Sequence, residues 1–351
     1  MSGLPACRAG RAAPLAAETF YAADSKLIQY VGRVDFSDAK KPRFWAPGVY
    51  ITVRFRGPGC EVTLNDEVLY GKNHNYLELI LDGQPSRRQL TGKVNTLRIG
   101  EGLADTEHTL TICKNTEANI GYLELVGVRC RKLLAPKPLS RRRIEFIGNS
   151  ITCGTGSDES AVPCGQGVWH DQHNAYLAYG PTVARALDAQ WQLTAVSGIG
   201  LMRSCCGMDV VMPQVFDKVS LRDNRISWDF QRYQPDVVTV ALGQNDGVQD
   251  SVVFCRAYRE FLQTLRRHYP RADIVCLTSP MGDAKLTAAL KNYLTAVVQA
   301  AKARGDQKVH SFFFARRYTS GCESHPSLAE HQLIAQELLA FLQPLTGWRS
   351  R

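Results

Sequence analysis

From residue 144 onward the chain alternates short apolar runs with longer amphipathic stretches, and few architectures accept that alternation. Runs at 144–147, 191–196, 236–242, 273–278 and 308–314 are brief and rich in apolar residues, as parallel strands buried on both faces are. Helical patterns at 174–188, 252–268, 284–304 and 328–343 fill the gaps, and the pairs Tyr269-Pro270 and Arg304-Gly305 mark two exits. The pattern predicts an α/β domain in which helices cover both faces of a parallel sheet. Ligands of such sheets collect outside the C-terminal ends of the strands.

Residues 1–135 follow a different period. Val49, Ile51, Val53 and Phe55 alternate with Tyr50, Thr52, Arg54 and Arg56, which gives one apolar and one polar face. Similar alternation near 62–69, 76–81, 109–113 and 122–128, with GPG at 57–59 and LNDE at 64–67 as breaks, predicts an all-β sandwich of jelly-roll type. The stretch 133–143, with two prolines and the run Arg141, Arg142, Arg143, reads as the linker. Since 351 residues suit two cores better than one, the expected division is a β-domain at 1–135 and an α/β domain at 136–351.

Three segments of the second part carry reactive chemistry. IEFIGNSITCG presents Ser150 at a strand end, ALGQNDG contains Asn245, and CESHPS contains His325. Each alone has a plainer reading, since serine caps helices and N-D-G makes turns. Together they supply a hydroxyl nucleophile, a near-neutral base to take its proton and an uncharged donor for a developing oxyanion. That set describes a serine esterase. Pro326 disfavours helix at His325, and Ser327 with Glu330 forms a capping box, so His325 is expected just outside a helix whose apolar face holds Ile334, Leu338, Phe341 and Leu342.

The blocks GNSIT at 148–152, SGIG at 197–200, GQND at 243–246 and SHP at 324–326 resemble, in order, those of the SGNH or GDSL-type hydrolase superfamily. With FIGNSITCGTG, AYLAYGPTVARAL at 175–187, SGIGLMR at 197–203 and GCESHPS at 321–327, and with a β-rich segment in front, the chain is similar to family two of the carbohydrate esterases. The resemblance implies a jelly-roll domain before a three-layer SGNH domain. It also implies a Ser–His acyl-enzyme route that removes O-acetyl groups from plant polysaccharides such as xylan or glucomannan, without metal or organic cofactor. Other acyl esters, or carbohydrate binding by an inactive esterase fold, are the alternative functions.

Two positions depart from that pattern. Asn149 stands where the superfamily usually has Asp, and Cys322 stands where an Asp usually precedes the histidine by three. The expected pair is therefore Ser150 with His325, oriented either by a backbone carbonyl or by Glu323 as a third member. The resemblance places oxyanion donors at the N–H of Ser150, the N–H of Gly200 and the side chain of Asn245. It also brings Trp169 near the site, where it would stack on a sugar ring or simply pack.

The remaining signals narrow the partners. A formal charge of +9 without clustered, aromatic-interleaved basic residues argues against nucleic acid. His170 and His173 in WHDQHN lack further ligands at a recognised zinc spacing, so no metal is expected. Eleven scattered cysteines suggest neither a disulfide framework nor a CxxC site, and the neighbours Cys205 and Cys206 have no functional reading. No segment is apolar enough to span a membrane. MSGLPACRAGRAAPLAAE carries Arg8 and Arg11 and no secretory apolar run, whereas polysaccharide deacetylation favours an extracellular or periplasmic setting. Cytoplasmic, periplasmic and extracellular placements, and the oligomeric state, stay open.

Overall fold

The computed structural model describes residues 18–222 and 225–350. Residues 1–17, where the expected β-domain begins and where Cys7, Arg8 and Arg11 fall, lie outside the described residues. The β-domain comprises β1 (Thr19–Ala22), β2 (Ile28–Val31), β3 (Arg43–Phe44), β4 (Tyr50–Asp66), β5 (Tyr76–Leu81), β6 (Gln84–Gln89), β7 (Val94–Ile99), β8 (Glu107–Lys114) and β9 (Leu123–Leu134). All its pairings are antiparallel.

Strand β4 is the spine of this domain. Its first half pairs with β2 and β8, and its second half with β7, while β9 accompanies both. The GPG at 57–59 does not end a strand as the sequence suggested; it forms an irregularity at which the register against β9 shifts between Arg56 and Cys60. Gly57 adopts φ +136°, a conformation L side chains rarely adopt. Such a bulge bends the strand without terminating it, which lets one strand serve two sets of partners.

After residues 135–142 the α/β domain begins. Its strands β10 (Arg143–Gly148), β11 (Gln190–Ala195), β12 (Val237–Val240), β13 (Asp273–Leu277) and β14 (Val309–Phe312) form a parallel sheet in the order β11-β10-β12-β13-β14. Every residue of β11 and β12 is buried, so the sheet is covered on both faces, as the apolar runs required. The helices are α1 (Ser150–Cys153), α2 (Tyr179–Ala186), α3 (Met212–Val215), α4 (Ser251–His268), α5 (Ala284–Ala303) and α6 (Leu328–Thr346); α2 packs with α6, and α4 with α5.

Helix α2 starts later than the periodicity suggested. Asn174, fully buried, caps the turn by accepting the Leu177 N–H at 3.0 Å while donating to Glu78 and Asp158, which fixes 174–178 as a turn. The capping box at Ser327 and Glu330 forms as expected, and Ile334, Leu338 and Leu342 are buried beneath α6. Among the described residues no helix is long and apolar enough to cross a membrane.

The two domains share one continuous apolar core. Tyr50 of β4 lies against Trp191 of β11, with ring centroids 4.2 Å apart, and the Trp191 indole N–H donates to the Gly48 carbonyl at 2.9 Å. Arg33 enters the second domain fully buried, where it meets the equally buried Glu145 at 3.0 Å and donates to the carbonyls of Phe216 and Lys218. Removing water from both charges is costly, and the attraction together with these hydrogen bonds offsets that cost.

Candidate active site

Ser150 is the first residue of α1, just beyond the C-terminal end of β10, which lies between β11 and β12 in the sheet. Asn149 caps that helix: its side-chain oxygen accepts the Ile151 N–H at 3.2 Å, and its amide donates to the Ala241 carbonyl at 3.3 Å. An aspartate could make the first contact but not the second, so here the neutral amide joins the Ser150 turn to the end of β12.

The His325 Nε2 lies 2.9 Å from the Ser150 Oγ, across 175 residues of sequence. Its Nδ1 lies 3.2 Å from the Glu323 backbone carbonyl. A carbonyl only accepts, so the proton sits on Nδ1 and the bare Nε2 is left to accept from the serine hydroxyl. Glu323 and Ser324 both adopt left-handed conformations, φ 53° and 59°, and Glu323 begins the turn that aims its carbonyl at the ring. Such conformations are uncommon for residues with side chains. The Glu323 carboxylate, expected as an alternative orienting group, is exposed and makes no hydrogen bond to His325. Burial lowers the His325 pKa, with the carbonyls of Glu323 and Cys322 and the Glu323 charge acting in the opposite direction.

The glycine and asparagine blocks meet beside this pair. Asn245 donates one amide hydrogen to the Ile199 carbonyl at 2.8 Å, and its second has no acceptor among the described residues. Asp246, fully buried, accepts the N–H groups of Leu201, Met202 and Arg203 at 2.9, 2.6 and 3.0 Å. Gly200, expected to be the second oxyanion donor, has its N–H committed to the Ser204 Oγ at 3.1 Å. It is a glycine for steric reasons, because a Cβ there would collide with the Arg203 carbonyl and the Asp246 carboxylate. Gly198, at φ +83°, has an N–H with no acceptor among the described residues.

Comparison with known proteins follows the same two-part division. Residues 30–138 match the carbohydrate esterase 2 N-terminal family model, and residues 146–332 match the GDSL-like lipase/acylhydrolase family. The solved structure of a family two carbohydrate esterase from Clostridium thermocellum, in complex with cellohexaose, is similar with a TM-score of 0.83 and 34% identity over 92% of this chain and 99% of that one. The chain belongs to carbohydrate esterase family two.

Other family-two relatives include the cellulase/esterase CelE of Acetivibrio thermocellus, 34% identical over 93% of this chain but only 40% of that protein's length. An acetylxylan esterase / glucomannan deacetylase of Cellvibrio japonicus is 29% identical, over 93% of this chain and 91% of the relative. Within this family-two fold the structure adds features the sequence did not suggest. Cys164 and Cys322 form a disulfide across 158 residues, with Cα atoms 5.2 Å apart, and Cys205 is paired with Cys206. No local spacing could have revealed the first pairing. The position at which the superfamily usually carries an acid is thus a cross-link that ties the histidine loop to the 159–168 loop.

That cross-link borders a cleft of about 230 Å³ lined also by Thr155, Gly156, Gln172, Glu323 and the half-exposed Trp169. The Trp169 ring stands edge-on to His173 at 4.4 Å. His170 and His173 are buried, and burial lowers the pKa of both, while Asp171 between them accepts from the Tyr76 hydroxyl at 2.9 Å. Among the described residues neither histidine belongs to a cluster able to hold a metal ion. Asp246 was the residue that sequence reasoning missed beside the site; its signal, an acid in an N-D-G run, cannot be distinguished from an ordinary turn.

Proposed function

We propose that this chain is a serine esterase that removes O-acetyl groups from acetylated carbohydrate. The observation that carries the reading is the 2.9 Å contact between Ser150 Oγ and a His325 whose other nitrogen is tied to a backbone carbonyl. His325 takes the Ser150 proton as Oγ attacks the acetyl carbonyl. The resulting oxyanion is held by the Ser150 N–H, the Gly198 N–H and the free amide hydrogen of Asn245. Collapse of that intermediate expels the sugar alcohol, which receives its proton from His325. Water, deprotonated by the same histidine, then attacks the acetyl-serine, and acetate leaves as Ser150 regains its proton.

The substrate class rests on family membership, since relatives over nearly the whole chain are named acetylxylan esterase / glucomannan deacetylase. An exposed indole at the cleft beside the pair suits a pyranose face, so Trp169 is the platform we assign to the sugar. The Cys164–Cys322 disulfide supports action in an oxidising compartment. Acetate release from acetylated xylan, acetylated glucomannan and an aryl acetate tests the reading. Wild-type protein is expected to deacetylate at least one polysaccharide and Ser150→Ala none; glycan binding without acetate release by the wild type would overturn it.

A further inference from the structure

The strongest unassigned feature is a polar run of the β-domain that has no contact with solvent. Lys114, the last residue of β8, and Asn115, Thr116 and Glu117, which follow it, are all fully buried. Their groups are largely satisfied within the seam between the domains. Lys114 Nζ donates to the carbonyls of Thr116 at 2.6 Å and Glu117 at 3.1 Å, and Thr116 Oγ1 donates to Asn75 at 2.6 Å. Asn115 donates to Glu78 at 2.9 Å and accepts the Tyr176 N–H at 3.1 Å. Glu117 alone sends its side chain to the segments that build the active site.

One oxygen of Glu117 does two things. Its Oε2 accepts the N–H of Ser197, the residue immediately before Gly198, and the thiol of Cys153 at 3.5 Å. Cys153 closes α1, whose first residue is Ser150. A second strut joins the same two segments, because Thr155 and Ser197 share a hydroxyl contact at 2.8 Å and the Thr155 N–H donates to the Ser150 carbonyl at 3.0 Å. The other oxygen, Oε1, is buried without a partner among the described residues. A buried carboxyl left half-satisfied costs stability, so packing alone would be better served by an apolar side chain.

We propose that Glu117 is a positioning residue for the reaction: from the β-domain it fixes the spacing between the two backbone oxyanion donors, Ser150 N–H and Gly198 N–H. The proposal rests on the serine-esterase reading. It gives the β-domain a part in the chemistry beyond bracing, because a donor pair held within a few tenths of an ångström is what makes an oxyanion hole effective. The acceptor oxygen is the operative feature. Burial pushes the Glu117 carboxyl upward, so glutamine, with a neutral carbonyl in the same place, preserves the contact while leucine removes it.

The test compares wild type, Glu117→Gln, Glu117→Leu and Ser150→Ala in kcat, KM, thermal melting and inhibition by phenylboronic acid, which forms a tetrahedral adduct on the serine. Glu117→Leu is expected to melt cooperatively, to lose about tenfold or more in kcat with KM within about twofold, and to lose boronate affinity in parallel. Glu117→Gln is expected to recover most of both. A folded Glu117→Leu with wild-type kcat, or with kcat lost and boronate affinity intact, would overturn the assignment. Should Glu117→Leu fail to fold, Glu117→Asp, which withdraws the acceptor by one methylene, must show the same selective fall in kcat; full activity in that variant also overturns it. A wild-type protein that neither releases acetate nor binds boronate would instead remove the esterase reading itself.

Discussion

At the scale of single residues, the site turns on which group holds the histidine. Glu323 contributes its backbone carbonyl, not its carboxylate, so Glu323→Gln is expected to keep turnover within about threefold of wild type, while His325→Ala lowers it by about 10³-fold or more. Steady-state kcat on an acetylated glycan checks this; a Glu323→Gln variant as impaired as His325→Ala would restore the carboxylate to the triad. The pH dependence follows from the same contact. In the proposed mechanism His325 works as a neutral base, and burial lowers its pKa from the usual 6.5. Activity is therefore expected to persist as pH falls through 6.5 and to disappear only below it, on passing the lowered pKa. An acid limb of kcat/KM centred at or above 6.5 would contradict that sign. The pairing of Ser150 with His325 was legible because each side chain sits in a recognisable local block. The choice between Gly198 and Gly200 was not, because it depends on whether Ser204 folds back to accept an N–H, which no local pattern encodes.

At the scale of elements, local chemistry foretold the parallel sheet and the start of α6, where apolar runs and a capping box act within a few residues. Features set by distant partners were misread. The GPG of β4 reads as a turn until β9 is seen to follow the strand past it, and 174–178 reads as helix until Glu78 and Asp158 claim Asn174. The Cys164–Cys322 cross-link belongs to this scale, since it joins two loops and each has a role at the cleft. Cys322 also donates its N–H to the Gly156 carbonyl at 2.8 Å and accepts the His325 N–H at 3.0 Å, so its position propagates directly to the histidine. Cys164→Ser is expected to lower kcat by about tenfold, in line with the cost of small misplacements. A phosphine reductant should do the same to a protein in which Cys205 and Cys206 are both replaced by serine. Unchanged kcat in Cys164→Ser would show that the loop holds itself.

At the scale of the whole molecule, the two domains share one core and are joined by Arg33 on Glu145 and by Glu117 on Ser197. Period-two alternation could show that the first part is β-rich, but not that the KNTE run at 114–117 is buried against the second domain, because that burial depends on distant residues. Arg33→Met leaves Glu145 buried without its charge partner and is expected to destabilise the fold by about 3–5 kcal/mol. Chemical denaturation checks that figure, and an unchanged midpoint would mean that the ion pair is dispensable. The central claim, that Ser150 is a nucleophile activated by His325, is tested most directly by intact-protein mass spectrometry after treatment with an aryl dialkyl phosphate. A single dialkylphosphoryl group is expected on Ser150, abolished in Ser150→Ala and formed far more slowly in His325→Ala, with acetate release lost in step. Labelling elsewhere, or deacetylation that survives in Ser150→Ala, would contradict it.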